Sequence, residues 1–383
     1  MRESGFTKSV VPETMATREA GTVRVLAVDV GTGTQDILLF DSEVELENCV
    51  QMVMPSPTQS VASRIRRATA AGEGVLLVGV TMGGGPCAWA AEEHLRRGLP
   101  VYATPDAART FDDDLSRVES MGVRIVDGDV RRDGVRRIEM RDLDYQAIVD
   151  ALRRFGVEPE LDAVAVAVFD HGAAPPGVSD RAFRFEYLAE TVTRNDLAAF
   201  SYLREEVPPR LTRMAAVAAT APAEIPLLVM DTGPAAVLGA LEDPRLRAAL
   251  SVVVANVGNF HTLAFHIEEG RILGIFEHHT GLLTREKLEG YLRKLGDGAI
   301  TNDEVFADVG HGALVVGRPA APPELLAVVG PRRNLLRGSA LRPHFVVPHG
   351  DMMLTGCFGL LRAMARTRPE WAAAIEGALA CGL

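Results

Sequence analysis

The sequence predicts an α/β protein built from two related halves, and three observations carry that reading. Continuous β-branched runs such as VRVLAVDV (Val23 to Val30) and SVVVA (Ser251 to Ala255) have the pattern of fully buried strands. Three consecutive strands open the chain, and helices then alternate with strands, as in an α/β sheet that begins with an antiparallel meander. The opening unit of strand, glycine turn, strand, strand and helix starts at Val23 and recurs from Ser251. Identity between the copies is weak, so the repeat is one of architecture and not a short-period solenoid.

In order, Val23 to Val30 is the first strand, Gly31 to Thr34 a tight turn, Gln35 to Asp41 the second strand and Cys49 to Pro55 the third. A helix follows, with Ser56 or Thr58 near its cap and Gly72 just past its end. Gly74 to Val80 is another buried strand. TMGGGP then leads into a helix over Cys87 to Arg97, where Pro86 suits the first turn because no intrahelical partner awaits its missing N–H. A short strand in LPVYATP, a helix over Ala107 to Met121, a strand in VRIVDGD, a helix over Leu143 to Phe155 and a strand over Ala163 to Phe169 come next. Phe183 to Ala221 reads as largely helical, and Pro226 to Asp243 as a strand, a Gly-Pro turn and a short helix. The second copy has strands at Val252 to Ala255, Thr262 to Ile267 and Arg271 to Glu277, joined by the NVGN turn and a hairpin at Glu268 to Gly270. A helix over Thr284 to Lys294, strands at Leu325 to Val329 and His344 to Val347, and helices over Met352 to Arg366 and Pro369 to Ala378 follow. These readings divide the chain into a loose polar tail (1–22), a first α/β domain (23–182), a helical connecting region (183–250) and a second α/β domain (251–383).

Composition narrows the function. At 383 residues, 47% hydrophobic and 24% charged, the chain has the make-up of a folded protein of two or three domains. A net charge of −11 disfavours a protein that grips nucleic-acid backbones, yet leaves room for a small anion held locally. No apolar run approaches 18 residues, so no membrane span is expected, and the first 22 residues lack the apolar segment of a secretory signal. Cys49, Cys87, Cys357 and Cys381 form no CxxC pair and no zinc or cluster set, which points to a reducing cytoplasm.

The two glycine turns are the main chemical feature. In DVGTGT (Asp29 to Thr34) an acidic residue ends a strand, and glycine lets the backbone adopt positive φ and come close to a ligand. Exposed N–H groups and the Thr32 and Thr34 hydroxyls would form an anion-binding concavity, with Asp29 placed to hold a hydrated Mg2+ beside a phosphate. Taken alone, the motif reads equally well as a solvated hairpin turn. NVGNFHT (Asn256 to Thr262) follows an equally apolar strand at the equivalent point of the second unit, and the pairing favours a ligand.

This pair of turns resembles the phosphate loops of the superfamily of actin, the sugar kinases and the 70-kDa heat-shock ATPases. The resemblance implies two ribonuclease-H-like (actin-like ATPase) domains facing across a cleft, their first hairpins clamping ATP from both sides. It places Asp29, Gly31, Thr32, Gly33 and Thr34 on the first loop and Gly258, Asn259 and Thr262 on the second. Asn256 stands where the superfamily usually has Asp, which removes a carboxylate from metal binding and counts against efficient phosphoryl transfer. A base pocket at a further glycine-rich strand end is also implied, with Gly330 in VVGPRRNLL and Gly356 in GDMMLTGCFGLL as candidates. A closer resemblance, carried by DVGTGTQDILLFD, FDHG, ANVGNFHTLAFH, FEHHTG and PHGDMMLTGCFGLLRA, is to a family of unknown function named "putative pyruvate formate-lyase activating enzyme". A radical activase resembling that name needs CxxxCxxC to hold a 4Fe–4S cluster. Here even Cys357 and Cys381 are 24 residues apart, so this chain alone cannot build one.

His171 in FDHG, His278 and His279 in EHHTG, His311 in GHG and His349 in PHGD sit at strand ends beside glycine, where α/β sheets place ligand sites. His94, in a charged helix, reads as solvated, and His261 and His266 as residues alternating along a hairpin. Asp170, His171, His278 and His279 would line one cleft, Asp170 as general base and the histidines holding an anionic substrate or a metal. Adjacent strand residues point to opposite faces, so no more than one of His278 and His279 faces a given ligand. TMGGGP (Thr81 to Pro86) has neither the GxGxxG nor the GKS/T spacing and reads as a strand-to-helix turn or a substrate loop. Arg64, Arg66, Arg67, Arg131, Arg132, Arg136 and Arg137 read as solvated faces, and no GxSxG elbow supports a serine hydrolase.

The expectation is an ATP-binding protein, a small-molecule kinase or ATP hydrolase using Mg·ATP, with Asp29 and the two turns on the nucleotide and Asp170 as base. Two other readings stay open. One is a non-catalytic nucleotide switch, favoured by Asn256; the other is a metal-dependent enzyme built on Asp170, His171, His278 and His279. The partner is a small molecule that the sequence does not identify, with neither nucleic acid nor membrane involved.

Overall fold

The computed structural model of the protein describes residues 21–128 and 133–381. Most of the expected polar tail lies outside the described residues, as do Arg131 and Arg132. The chain opens with an antiparallel meander of β1 (Arg24–Val30), β2 (Thr34–Asp41) and β3 (Val50–Pro55). Helix α1 (Pro57–Ala71) starts at Ser56, whose hydroxyl accepts the Gln59 N–H, and stops at Gly72 with a left-handed φ of 69°. Residues 74–140 then form a separate four-stranded sheet. It comprises β4 (Gly74–Gly79), α2 (Pro86–Arg96), β5 (Val101–Ala103), α3 (Pro105–Ala108), α4 (Leu115–Ser120), β6 (Arg124–Ile125) and β7 (Val135–Met140), all strands parallel in the order β6-β5-β4-β7. Next come α5 (Tyr145–Arg154), β8 (Ala163–Val168), α6 (Asp180–Val192), β9 (Ser201–Leu203), α7 (Thr212–Thr220), β10 (Leu227–Asp231), α8 (Thr232–Ala240) and α9 (Pro244–Ala248). The second half runs β11 (Ser251–Val257), β12 (His261–Glu268), β13 (Arg271–His279), α10 (Arg285–Gly296), α11 (Asn302–Ala307), β14 (Gly312–Val315), β15 (Leu325–Val329), β16 (His344–Phe345), α12 (Thr355–Thr367) and α13 (Pro369–Cys381).

Two six-stranded sheets share one plan, in the orders β3-β2-β1-β8-β10-β9 and β14-β13-β12-β11-β15-β16. In each, the first strand of the unit (β1 or β11) pairs antiparallel with its hairpin partner and parallel with a later crossover strand (β8 or β15). That crossover strand pairs in parallel with the next (β10 or β16). A three-stranded meander followed by two parallel crossover strands is the ribonuclease-H-like sheet. The protein contains it twice, and the two units face one another across a cleft. Strands β8 and β10 are buried at every position, which is why AVAVAV and LLVMD show no polar alternation.

Four departures from the sequence reading have identifiable causes. The segment 183–250 is more than a helical connection, since β9 and β10 complete the first sheet; β9 is too short for periodicity to reveal. Residues 107–121 are not one helix, because Asp114 caps a new one by accepting the Ser116 N–H at 2.9 Å, leaving 109–114 as a loop. Charge hides β7: VRRIEM exposes Arg136 and Arg137 and buries Ile138 and Met140. Arg64, Arg66 and Arg67 are exposed on α1. His94, expected in solvent, is fully buried, its Nδ1 2.8 Å from the Thr69 hydroxyl, because α1 packs on α2.

The helices that cover the two sheets are exchanged between the halves. α12 packs on β1, β2 and β8 of the first sheet, while α8, besides touching β8 and β10 of its own sheet, packs on β11, β12 and β15 of the second. They cross without side chains between them. A Cβ on Gly239 would lie 1.8 Å from the Thr355 carbonyl oxygen, and one on Gly359 would lie 1.9 Å from that of Ala235. Arg362 of α12 clamps Glu242, just past α8, through two hydrogen bonds of 2.8 Å.

Candidate functional site

A cavity of about 1050 Å³ lies between the halves, and both glycine turns reach it. They close alike. The Gly31 N–H donates to the Thr34 carbonyl and the Gly258 N–H to the His261 carbonyl, each at 2.9 Å. Each turn leaves two N–H groups without an acceptor among the described residues, those of Thr32 and Gly33 and those of Asn259 and Phe260. Gly31, Gly33 and Gly258 do not use positive φ, contrary to expectation; they are needed for space. A Cβ would stand 3.0 Å from the Thr34 oxygen at Gly31 and 2.7 Å from the His261 oxygen at Gly258. At Gly33 it would stand 3.2 Å from the Asn259 side-chain nitrogen, so the turns face each other. Ser56 holds the first turn from behind, its N–H donating to the Gly33 carbonyl (3.1 Å) and its hydroxyl to that of Thr32 (2.7 Å).

Below the first turn, Asp29 and Asp36 are register partners across the β1–β2 hairpin. Thr232 donates its hydroxyl to Asp29 Oδ1 at 2.6 Å, and Asp29 Oδ2 presses on Gly356, where a Cβ would come within 2.0 Å. Asp36 Oδ1 is buried without a partner. Burial pushes the Asp29 carboxyl up to about 6 despite the Thr232 hydrogen bond, with Asp231 adding to the rise. Burial and the neighbouring Asp29 charge push Asp36 up to about 8. Both folded values exceed the unfolded one, so the folded state binds more protons between about pH 4 and 8. Stability from this pair is therefore full at the acid end and lost as pH rises through that window. Asp36→Asn is expected to be more stable than wild type at pH 8, by up to about 5 kcal/mol, and to flatten the dependence. Urea midpoints at pH 5 and pH 8 read this out; equal wild-type and variant slopes would contradict the burial of Asp36.

Asp170 and His171 also line the cavity. Asp170 accepts the Gly172 N–H on Oδ1 and the Met214 N–H on Oδ2, both at 2.8 Å, which fixes its aim and leaves part of its acceptor capacity unspent. Asn256, Gly330 and Gly356 are on the wall. Gly330 has a φ of 99°, and a Cβ there would lie 2.5 Å from Asn256 Oδ1, so both conformation and space demand glycine.

Three residues expected at the site take other positions: Thr262, His278 and His279 do not line the cavity. Thr262 faces inward, its hydroxyl 2.9 Å from that of Thr280, because strand alternation turns it away from the turn it follows. His278 pairs with Thr262 in register and packs on Tyr291, with Nε2 3.3 Å from Asp308 on the outer side of the sheet. His279 lies on the opposite face, beside His261 and His311.

The segment read as a strand-to-helix turn or a substrate loop reaches the site, and other residues join it without a local signal. Thr81 to Gly85 line the same cavity. Gly83 donates its N–H to Asp142 (3.1 Å), which Arg213 holds with bonds of 2.5 and 2.9 Å. Gly85 abuts Phe260 and Thr32, and Trp89 meets Phe260 edge-on at 5.6 Å, so the inserted sheet reaches both turns. Glu277 lines the cavity and is bound by Arg184, a fully buried cation on α6 that also pairs with Asp231 and donates to the Asp170 carbonyl at 2.8 Å. Asp36 was legible by counting back across the two-residue turn from Asp29. Nothing local in the sequence ties Arg184 to Glu277, 93 positions away.

Among the described residues no helix is long and apolar enough to cross a membrane. No curated protein matches the chain. Among solved structures, a ROK family transcriptional regulator, homologous to the E. coli MLC protein, is 9% identical over 65% of this chain with a TM-score of 0.27. The chain spans only 38% of that regulator's length. The activator of the 2-hydroxyisocaproyl-CoA dehydratase from Clostridium difficile, with bound ADPNP, is 10% identical over 93% of this chain and 97% of its own, with a TM-score of 0.33. The Lmo2764 protein of Listeria monocytogenes, described as a putative N-acetylmannosamine kinase, is 9% identical over 90% and 99%, with a TM-score of 0.33. Residues 82–335, about two thirds of the sequence, match the family profile "Putative pyruvate format-lyase activating enzyme (DUF1786)", and the chain belongs to that family.

Proposed function

We propose that the protein binds Mg·ATP in this cleft and acts as a small-molecule kinase or an ATP hydrolase. The observation that supports the reading is the facing pair of turns, each offering two unspent N–H groups to one cavity. Thr32, Gly33, Asn259 and Phe260 would hold phosphate oxygens through those groups. Asp29 and Asp36, a buried carboxylate pair with an unsatisfied oxygen, are the acceptors for a hydrated cation. Bound Mg2+ supplies neutralisation of phosphate charge. Gly330, on the cavity wall, is the candidate to border an adenosine, whereas Gly356 gives its space to the Asp29 carboxylate. Asp170, aimed by its two N–H donors, is the group to orient a hydroxyl or water and take its proton. About 1050 Å³ exceeds the usual small-ligand pocket and accommodates a nucleotide with a second small substrate. A cytoplasmic location is part of the same proposal.

Mg·ATP at a hundred times its Kd is expected to add about 2.7 kcal/mol of stability, read as a rise in Tm. Gly33→Val, which drives a side chain at Asn259, should abolish the rise. Asp170→Ala should keep the rise and lose turnover. Wild-type protein that Mg·ATP neither binds nor stabilises would remove the reading. ATP binding without turnover by wild type selects the non-catalytic switch that Asn256 favours.

A further inference from the structure

We propose that His261, His279 and His311 form a binding site for a first-row transition-metal dication such as Zn2+ on the wall of the cleft. The three come from neighbouring strand ends of the second sheet. His261 begins β12 and His279 ends β13, and they are register partners. His311 immediately precedes β14, whose Gly312 pairs with Glu277 of β13. Three ligands on paired strands form a stiff frame. One ring nitrogen from each lies within 4.8 Å of the other two. Zn–N bonds of about 2.1 Å at tetrahedral angles put nitrogens roughly 3.4 Å apart, a closure that small side-chain rotations supply.

The surroundings suit a metal better than a hydrogen-bond network. His311 is 3% exposed, and its Nδ1 has no hydrogen-bond partner, which a buried polar atom rarely tolerates. The nearest carboxylate oxygen, Glu277 Oε2, is 3.9 Å away and already accepts the Arg184 Nε–H. The His261 ring lies flat on Phe169 at 4.0 Å, which sets its plane. Three neutral imidazoles select borderline dications and not Mg2+, which prefers oxygen. Three protein ligands leave a fourth position for water or an oxygen ligand of the substrate, and His261 lines the cavity. This ion would be distinct from the Mg2+ proposed at Asp29 and Asp36, on the first sheet.

The test uses the full chain, stripped with a chelator, without nucleotide, and titrated with Zn2+ against a chromophoric competitor. One equivalent should bind. His261→Ala, His279→Ala and His311→Ala should each weaken binding at least tenfold, while His349→Ala, in a separate small cavity, should not. No stoichiometric Zn2+ in wild type, unchanged affinity in folded triad variants, or equal loss in His349→Ala would overturn the site. Should the triad variants fail to fold by circular dichroism, wild-type protein loaded with Cu2+ decides by electron paramagnetic resonance. Nitrogen hyperfine coupling from imidazoles supports the site, and an oxygen-only spectrum refutes it. Neither result depends on ATP.

Discussion

Arg184→Met is expected to cost about 3–5 kcal/mol of stability, a large loss for a single side chain. Arg184 is fully buried and holds Asp231 on one side and Glu277 on the other, so its removal leaves two carboxylates facing each other without water. Asp231 belongs to the first sheet and Glu277 to the second, so the cation is also a cross-link between the halves. Its guanidinium stacks 4.4 Å from the Phe169 ring and donates to the Asp170 carbonyl, which ties the same substitution to the cleft floor. Methionine fills most of the volume, so the loss measures charge rather than cavity. The deficit should shrink at acid pH, where the stranded carboxylates take up protons, and should also shrink when Asp231→Asn and Glu277→Gln are added. Urea unfolding of the single and triple variants at pH 5 and pH 8 checks both. A single variant within about 1 kcal/mol of wild type would show that the buried network is dispensable.

Gly239→Ala and Gly359→Ala should each destabilise by roughly 3 kcal/mol or more. Alanine at a helix interior ordinarily gains about 0.5–1 kcal/mol over glycine. At these two positions the new methyl would sit 1.8–1.9 Å from carbonyl oxygens of the facing helix, and backbone cannot rotate aside as a side chain can. The helices must separate, and α12 and α8 are the covers of the two sheets. Gly290→Ala, in the interior of α10 with nothing within 4 Å, is the contrasting case and should stabilise. Opposite signs in parallel denaturant titrations are the expected result; equal signs would mean that the crossing is looser than described.

Much of this was readable before folding because it is local. The β-branched runs at 23–30 and 251–257 declare buried strands, and a glycine turn after each declares the hairpin that follows. What eluded local reading depends on neighbours in space. β7 shows its arginines to solvent and its two core residues only to the inserted sheet. His261 and His311 are 50 positions apart and look like ordinary strand-end residues until the sheet brings their rings to 5.0 Å. His278 looked equivalent to His279, and only the register decides which of the two joins His261 and His311. Gly356 read as a candidate for the base pocket, whereas its lack of a Cβ is what admits the Asp29 carboxylate.

The exchange of α8 and α12 also sets the order in which the protein acquires its structure. The last long strand of the first sheet ends at Asp231, but the helix that covers β1, β2 and β8 begins only at Thr355. During synthesis that apolar face therefore waits for about 120 residues, through the whole of the second sheet. The Cys357 thiol that finally reaches the Ala27 carbonyl is 330 positions away from it. Contacts of such sequence separation make folding slow, because a long loop must close before they form.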